Sequence, residues 1–376
     1  MNLKTRIELY KKLEKKRGNP LIVYVTSQRP GAEGLMASDV INELINQIQC
    51  LPAESQSVDF LIDSTGGDGL VAWRTISLLR EKVDKVNIII PHSAFSAATL
   101  LALGGNEIVM GKFGCLGPID PQITIKKDNG ETKQFAYEDI VSFLSFTKKE
   151  AGLTEQAYSE SAFNKLCEIV DPPALGFAKR ASSLAVTIGE KLLLTHLSEA
   201  KKSQAIAIAE KLNKNFFNHG HALSRSEAKK IGLNIIEPDA ELEKLMWEIH
   251  KSFESELNVK KPFDPIAEFL SEAKAAPYLQ SPPPLHIPPH IDPQAGLNIL
   301  STYINNQLNA DPPDVTRELK YAFMESSRCA AEFFQKIKIL VMRKLDLKFI
   351  ASALKLDCGW RDIKLPKIQK KKGKKK

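Results

Sequence analysis

Residues 86–105 read VNIIIPHSAFSAATLLALGG, and this stretch decides the fold. Val86, Ile88, Ile89 and Ile90 form a short apolar run that predicts a buried strand. Pro91-His-Ser-Ala-Phe95 breaks the run, and an Ala- and Leu-rich helix then starts at Ser96 and closes at Gly104-Gly105. Ser96 therefore stands where a buried strand turns into a helix. Such a position suits a nucleophile, because the helix start offers free N–H groups and a positive dipole end to a developing oxyanion. Serine is equally a favoured helix N-cap, so the neighbouring elements must decide.

Upstream, a strand over 58–63 runs into Ser64-Thr-Gly-Gly-Asp-Gly, a loop that needs glycine backbone freedom. Strands at 21–26, 58–63, 86–90 and 107–110 alternate with helices at 37–50, 70–82 and 96–103. This alternation predicts parallel β/α units and an α/β fold. In a parallel sheet the C-terminal strand ends share one edge, so Gly66-Gly67 and Ser96 face one crevice.

A base for Ser96 is needed. His92 precedes the helix and reads as a loop or core histidine. In the helix expected over 136–152, Tyr137, Val141, Leu144 and Lys148 share one otherwise apolar face. Lys149 falls on the polar face with Glu138, Ser142 and Ser145. Lys148 is thus the lysine expected to point inward, where burial would lower its pKa. Snorkelling at a helix interface explains the same pattern. His219-Gly-His221 reads as a turn ahead of a capping box at Ser224-Arg-Ser-Glu227, Cys115 as a small buried residue, and Asp120 as a turn residue of the crevice.

Several motifs carry a resemblance: Ile62-Asp-Ser-Thr-Gly-Gly-Asp, Ala72-Trp-Arg, His92-Ser-Ala-Phe-Ser-Ala-Ala-Thr, Asn106-Glu-Ile-Val-Met-Gly, Gly117-Pro-Ile-Asp-Pro-Gln and His219-Gly-His with Ile231-Gly-Leu. As a set, over residues 10–250, they resemble the serine dehydrogenase proteinase family, which is similar to signal peptide peptidase A and ClpP. The resemblance implies a crotonase-like ClpP fold, a superhelix of β/α units, and a homo-oligomeric ring. It implies that Ser96 is the nucleophile and that Gly67 and the Ala97 N–H form the oxyanion hole; Gly66 and Asp120 are placed in the substrate crevice by the strand-end and turn readings above. The ClpP branch has a catalytic His near Ile119-Asp120, where this chain has none. The signal peptide peptidase A branch uses a Ser-Lys dyad, and Lys148 lies 52 residues after Ser96, a comparable separation. No metal, nucleotide or organic cofactor is implied.

Composition fits an ordinary globular protein, with 43% hydrophobic and 26% charged residues. No run approaches the ~18 apolar residues of a membrane span. Five scattered cysteines point to a reducing, cytoplasmic setting without a disulfide framework. The net charge of +7 is dominated by the tail, since residues 364–376 carry eight lysines and no acid. The expected organisation is a protease domain over 1–257, a Pro-rich linker over 258–293, a helical module over 294–363, and a disordered Lys-rich tail over 364–376 that could dock a partner or an anionic surface. The reading is a cytoplasmic serine peptidase acting on proteins or peptides. The rivals are a crotonase-type acyl-CoA enzyme and an inactive scaffold that binds through its basic tail.

Overall fold

A computed structural model describes every residue except 1, 127–129, 215, 217, 277–283, 309–312, 345, 347 and 367–376. Its centre is a parallel sheet. Strands β1 (Leu21–Thr26), β2 (Ser57–Asp63), β3 (Lys85–Ile90), β4 (Glu107–Met110) and β5 (Ile235–Ile236) lie side by side in that order. The strands read as continuous apolar runs because helices cover both faces. On one face Ile22, Phe60, Ile62, Ile88 and Ile90 pack against α2 (Val40–Gln49), α3 (Gly69–Lys82), α4 (Ala97–Leu103) and α7 (Pro172–Leu194). On the other, Leu21, Val23, Leu61, Ile89 and Val109 meet α1 (Leu3–Arg17) and α10 (Ala240–Glu256). Neighbouring strand residues thus go to opposite faces, as the pleat requires. Between them the chain adds α5 (Tyr137–Lys149), α6 (Gln156–Cys167), α8 (Lys202–Lys214) and α9 (Arg225–Ile231).

The C-terminal part departs from expectation. Among its described residues, the stretch read as a helical module over 294–363 is helical only in α12 (Pro293–Leu308). After it come three long antiparallel strands, β6 (Val315–Glu325), β7 (Ala330–Arg343) and β8 (Phe349–Asp362). β6 pairs antiparallel with β1, so these strands extend the central sheet to eight. The physical reason is visible in β7. Ile337, Ile339 and Val341 are buried, while Lys336, Leu340 and Met342 between and beside them are exposed, a period of two. Part of the expected linker is also folded. α11 (Pro265–Leu270) buries Phe269 among Ile337, Ile339 and Val341 of β7.

The N-terminal helix is tied to the same strands rather than lying free on the surface. Arg6 donates to both carboxylate oxygens of Glu325 on β6, at 2.9 and 2.7 Å, and the Tyr10 hydroxyl donates to it at 2.7 Å. Arg6 and Glu325 are both buried, at 1% and 0% exposure. The expectation for the Lys-rich tail falls almost wholly outside the described residues.

Candidate active site

Two adjacent strand ends build the site. β2 runs into Ser64–Gly67, and β3 runs into the turn that carries Ser96. The two turns are stitched together, since Ser64 N–H donates to Ser93 O at 2.9 Å and Phe95 N–H donates to Ser64 O at 3.0 Å. Ser96 caps α4 with φ 51° and ψ −117°, a conformation that non-glycine residues rarely adopt. Such backbone strain persists only where the surroundings hold it. Thr99 supplies one hold. Its hydroxyl contacts Ala94 O at 2.6 Å and Gly117 O at 2.9 Å, and it accepts from Gly117 N–H at 3.0 Å.

The glycine loop presses against this turn. A Cβ on Gly66 would fall 2.6 Å from Phe95 O and 2.8 Å from the Ser96 Cβ. Met36 bonds to both flanks of Gly67, donating to Gly66 O at 2.7 Å and accepting from Asp68 N–H at 2.9 Å. This bridge turns the Gly67 N–H away from Met36. Ala97 is the first residue of α4, so its N–H has no carbonyl to meet within the helix. Gly67, Ser96 and Ala97 all line one cavity of about 430 Å³, whose walls include Leu70, Leu100 and Ile188.

The structure brings a histidine to that cavity and leaves the expected lysine away from it. His219 lines the cavity together with Ser96. Its Nδ1 stands 2.8 Å from Asp120 Oδ1, and Gln122 donates to Asp120 Oδ2 at 2.7 Å. Asp120 is 7% exposed. A carboxylate can only accept, so the proton of a neutral His219 lies on Nδ1 and the Nε2 lone pair is left free. Lys148, by contrast, is exposed and does not line the cavity. α5 buries Ile140 and Thr147, so it is rotated by about one residue from the expected face, and Val141 is exposed along with Lys148. Lys149 is exposed too. From sequence, Asp120 reads as a turn residue of the substrate crevice and His219 as a turn residue. Both lie in motifs that carried the resemblance, and that was the signal available for them.

Other nucleophile candidates recede. Burial pushes the Cys115 thiol up to about 11, with the charge of Asp63 acting the same way, so little thiolate forms near neutrality. All five cysteines are free.

The family comparison now bears on this geometry. Residues 1–132 match the family model of the ClpP-like SDH-type serine proteinase. The resemblance read from the motifs holds over that stretch, and it supports a serine peptidase of ClpP-like α/β fold. The SDH-type match contains Gly66, Gly67, Ser96, Ala97 and Asp120, and it ends before both Lys148 and His219. Two uncharacterized proteins of Methanocaldococcus jannaschii are each 25% identical, over 236 and 237 residues. Each alignment covers 61% of this chain, with 73% of the first and 71% of the second. Among solved structures, similarity extends to a serine-to-alanine mutant of the 1510-N membrane-bound stomatin-specific protease. It has 16% identity and a TM-score of 0.35, over 60% of this chain and 84% of that one. A lysine-to-alanine mutant of the same protease, in complex with a substrate peptide, has 17% identity and a TM-score of 0.35, over 59% and 77%. ClpP1 from Listeria monocytogenes has 15% identity and a TM-score of 0.33, over 62% and 99%. These likenesses are too remote to assign a residue. Among the described residues, no helix is long and apolar enough to cross a membrane.

Proposed function

We propose that this protein is a serine peptidase whose base is His219 rather than Lys148. His219 Nε2 takes the proton of Ser96 as its hydroxyl attacks a peptide carbonyl. Asp120 holds the ring in the right tautomer and stabilises the imidazolium that forms. The N–H groups of Gly67 and Ala97 receive the oxyanion. The imidazolium then protonates the leaving amine, and water, activated by the same ring, releases the acyl-enzyme. The observation that carries this reading is the 2.8 Å contact between Asp120 and His219, with His219 and Ser96 both lining one cavity.

The test is mass spectrometry of denatured protein substrates incubated with wild type, Ser96→Ala, His219→Gln and Lys148→Arg. New cleavage products with wild type and Lys148→Arg alone support the proposal. Products lost in Lys148→Arg and kept in His219→Gln return the base to the lysine. We further propose a homo-oligomer in a reducing compartment. Val141, Phe146, Tyr158 and Phe163 on α5 and α6 are exposed, and α6 buries no residue at all. Analytical ultracentrifugation reads the oligomeric state directly.

A further inference from the structure

A second cluster of reactive side chains lies outside the cavity of Ser96. Asp63, the last residue of β2, meets His92 from the turn after β3 and His250 from α10. The three are far apart in sequence, which is why no motif announces them. One donor atom from each lies within 4.8 Å of the other two. The cluster borders a cavity of about 150 Å³ under α10.

The carboxylate is built into place. Asp63 Oδ1 accepts from Gln28 Nε2 at 2.8 Å, from Ser93 Oγ at 2.9 Å and from Ser93 N–H at 3.3 Å. Asp63 Oδ2 faces His250 Nδ1 at 2.6 Å. Trp247 stacks on the His250 ring, with centroids 4.7 Å apart, and fixes its plane. His92 Nδ1 is buried and, among the described residues, has no hydrogen-bond partner, being 3.8 Å from Asp63 Oδ1. An unmet buried donor or acceptor costs about 1–3 kcal/mol, so this nitrogen needs something to bind.

We propose that Asp63, His92 and His250 form a binding site for a divalent transition metal of the zinc or cobalt type. Two imidazoles and one carboxylate suit a borderline metal, whereas calcium and magnesium want oxygen ligands. Three protein ligands leave a fourth position, which opens on the cavity and would take water. Gln28 and Ser93 act as the outer partners that orient a ligating carboxylate. His92 and His250 stack at 4.4 Å, so His92 turns out of the stack to aim its lone pair at the ion. His92 has room to do so, with 39% of its side chain exposed. The ion would fasten β2 and β3 to α10, immediately behind the turns that carry Gly67 and Ser96.

The experiment uses the full chain without an affinity tag, stripped with EDTA and titrated with Co²⁺ and then Zn²⁺. The expected result is one equivalent of Co²⁺ bound with the intense visible absorption of a four-coordinate site. Quenching of tryptophan fluorescence should accompany it, because Trp247 stacks on a ligand. Zn²⁺ should displace the Co²⁺ and raise the Tm. His92→Ala and His250→Ala should each weaken Co²⁺ binding by at least about tenfold, the scale on which even outer partners of metal ligands matter. His221→Ala, which changes a histidine beside Phe216 and Glu227 and outside the cluster, should leave binding unchanged. No stoichiometric binding in wild type, or wild-type binding in folded His92→Ala and His250→Ala, overturns the proposal. The cluster is then a hydrogen-bonded charge network in which a proton serves His92.

Discussion

Asp120 Oδ1 and His219 Nδ1 stand 2.8 Å apart, although 99 residues separate them along the chain. Asp120 is buried and also accepts from Gln122 Nε2, so both of its carboxylate oxygens are engaged and it is held in one orientation. If it orients the base, Asp120→Asn should cut kcat by about two to four orders of magnitude with little change in KM, because an amide can present its N–H and force the wrong tautomer. The variant should remain folded. Wild-type kcat in Asp120→Asn, measured on a peptide that the wild type cleaves, would show that the contact is only a turn support.

Lys148→Arg separates the two possible bases. Guanidinium does not give up its proton in proteins, so an essential lysine base cannot be replaced by it. Lys148 is exposed on α5 and outside the cavity of Ser96. Lys148→Arg and Lys149→Arg should therefore both keep most of the wild-type turnover. A loss in Lys148→Arg comparable to that of Ser96→Ala would mean that α5 turns toward the cavity when substrate binds.

What could be read from residues alone follows from how local the evidence is. The strand-to-helix turn at Ser96 and the Gly66-Gly67 loop were legible because each is a contiguous pattern with a backbone demand. The Asp120–His219 contact was not, because the two residues meet only through tertiary structure. α5 misled for a related reason. Its apolar side chains go round the helix, with Val141, Phe143 and Phe146 exposed, so the apolar face is no guide to what points inward. In β7 the alternation of buried and exposed residues is confined to Lys336 to Met342, and Phe333, Phe334, Ile337 and Val341 mimic helical spacing.

Gly66 and Gly67 should tolerate no side chain, for different reasons. Gly67 has φ 146°, and a Cβ there would fall 2.3 Å from Met36 O and 2.6 Å from Met36 N, which are backbone atoms that cannot step aside. Gly67→Ala should lower both stability and turnover. Gly66 has φ 104°, and its Cβ would press on Phe95 O and the Ser96 Cβ. Gly66→Ala should therefore move the nucleophile itself, with turnover falling by about two orders of magnitude or more, the scale of one lost oxyanion donor. Melting curves beside kinetics distinguish the two. Full activity in Gly66→Ala would remove this turn from the site.

Glu325 tests whether the C-terminal strands belong to the folded unit. It accepts from Arg6 and Tyr10, and all three are buried. Glu325→Ala leaves the Arg6 guanidinium buried with its main partner gone, a change that costs about 3–5 kcal/mol where it has been measured for buried pairs. Denaturant unfolding should show a loss of that order in one cooperative transition. Arg6→Met combined with Glu325→Leu should cost much less, because no charge is stranded. Little effect from Glu325→Ala alone would show that α1 and β6 can part without unfolding the sheet.

His196 gives the fold a predictable response to acid. Its Nε2 lies 3.0 Å from Leu103 O at the end of α4. Burial lowers the pKa of this imidazole, the Leu103 carbonyl opposes that, and the charge of Arg80 lowers it further. The folded pKa therefore lies below the unfolded value of about 6.5. The unfolded chain takes up a proton first as pH falls. The contribution of neutral His196 is then complete above that unfolded value, and it is lost progressively as pH drops from about 6.5 towards the folded pKa. His196→Gln keeps an N–H donor for Leu103 O and cannot titrate. The wild-type Tm should fall faster than that of His196→Gln between about pH 7 and pH 5, and the two curves should run parallel at higher pH. Curves that stay parallel through the acid range would mean that His196 takes up its proton as readily in the folded chain as in the unfolded one.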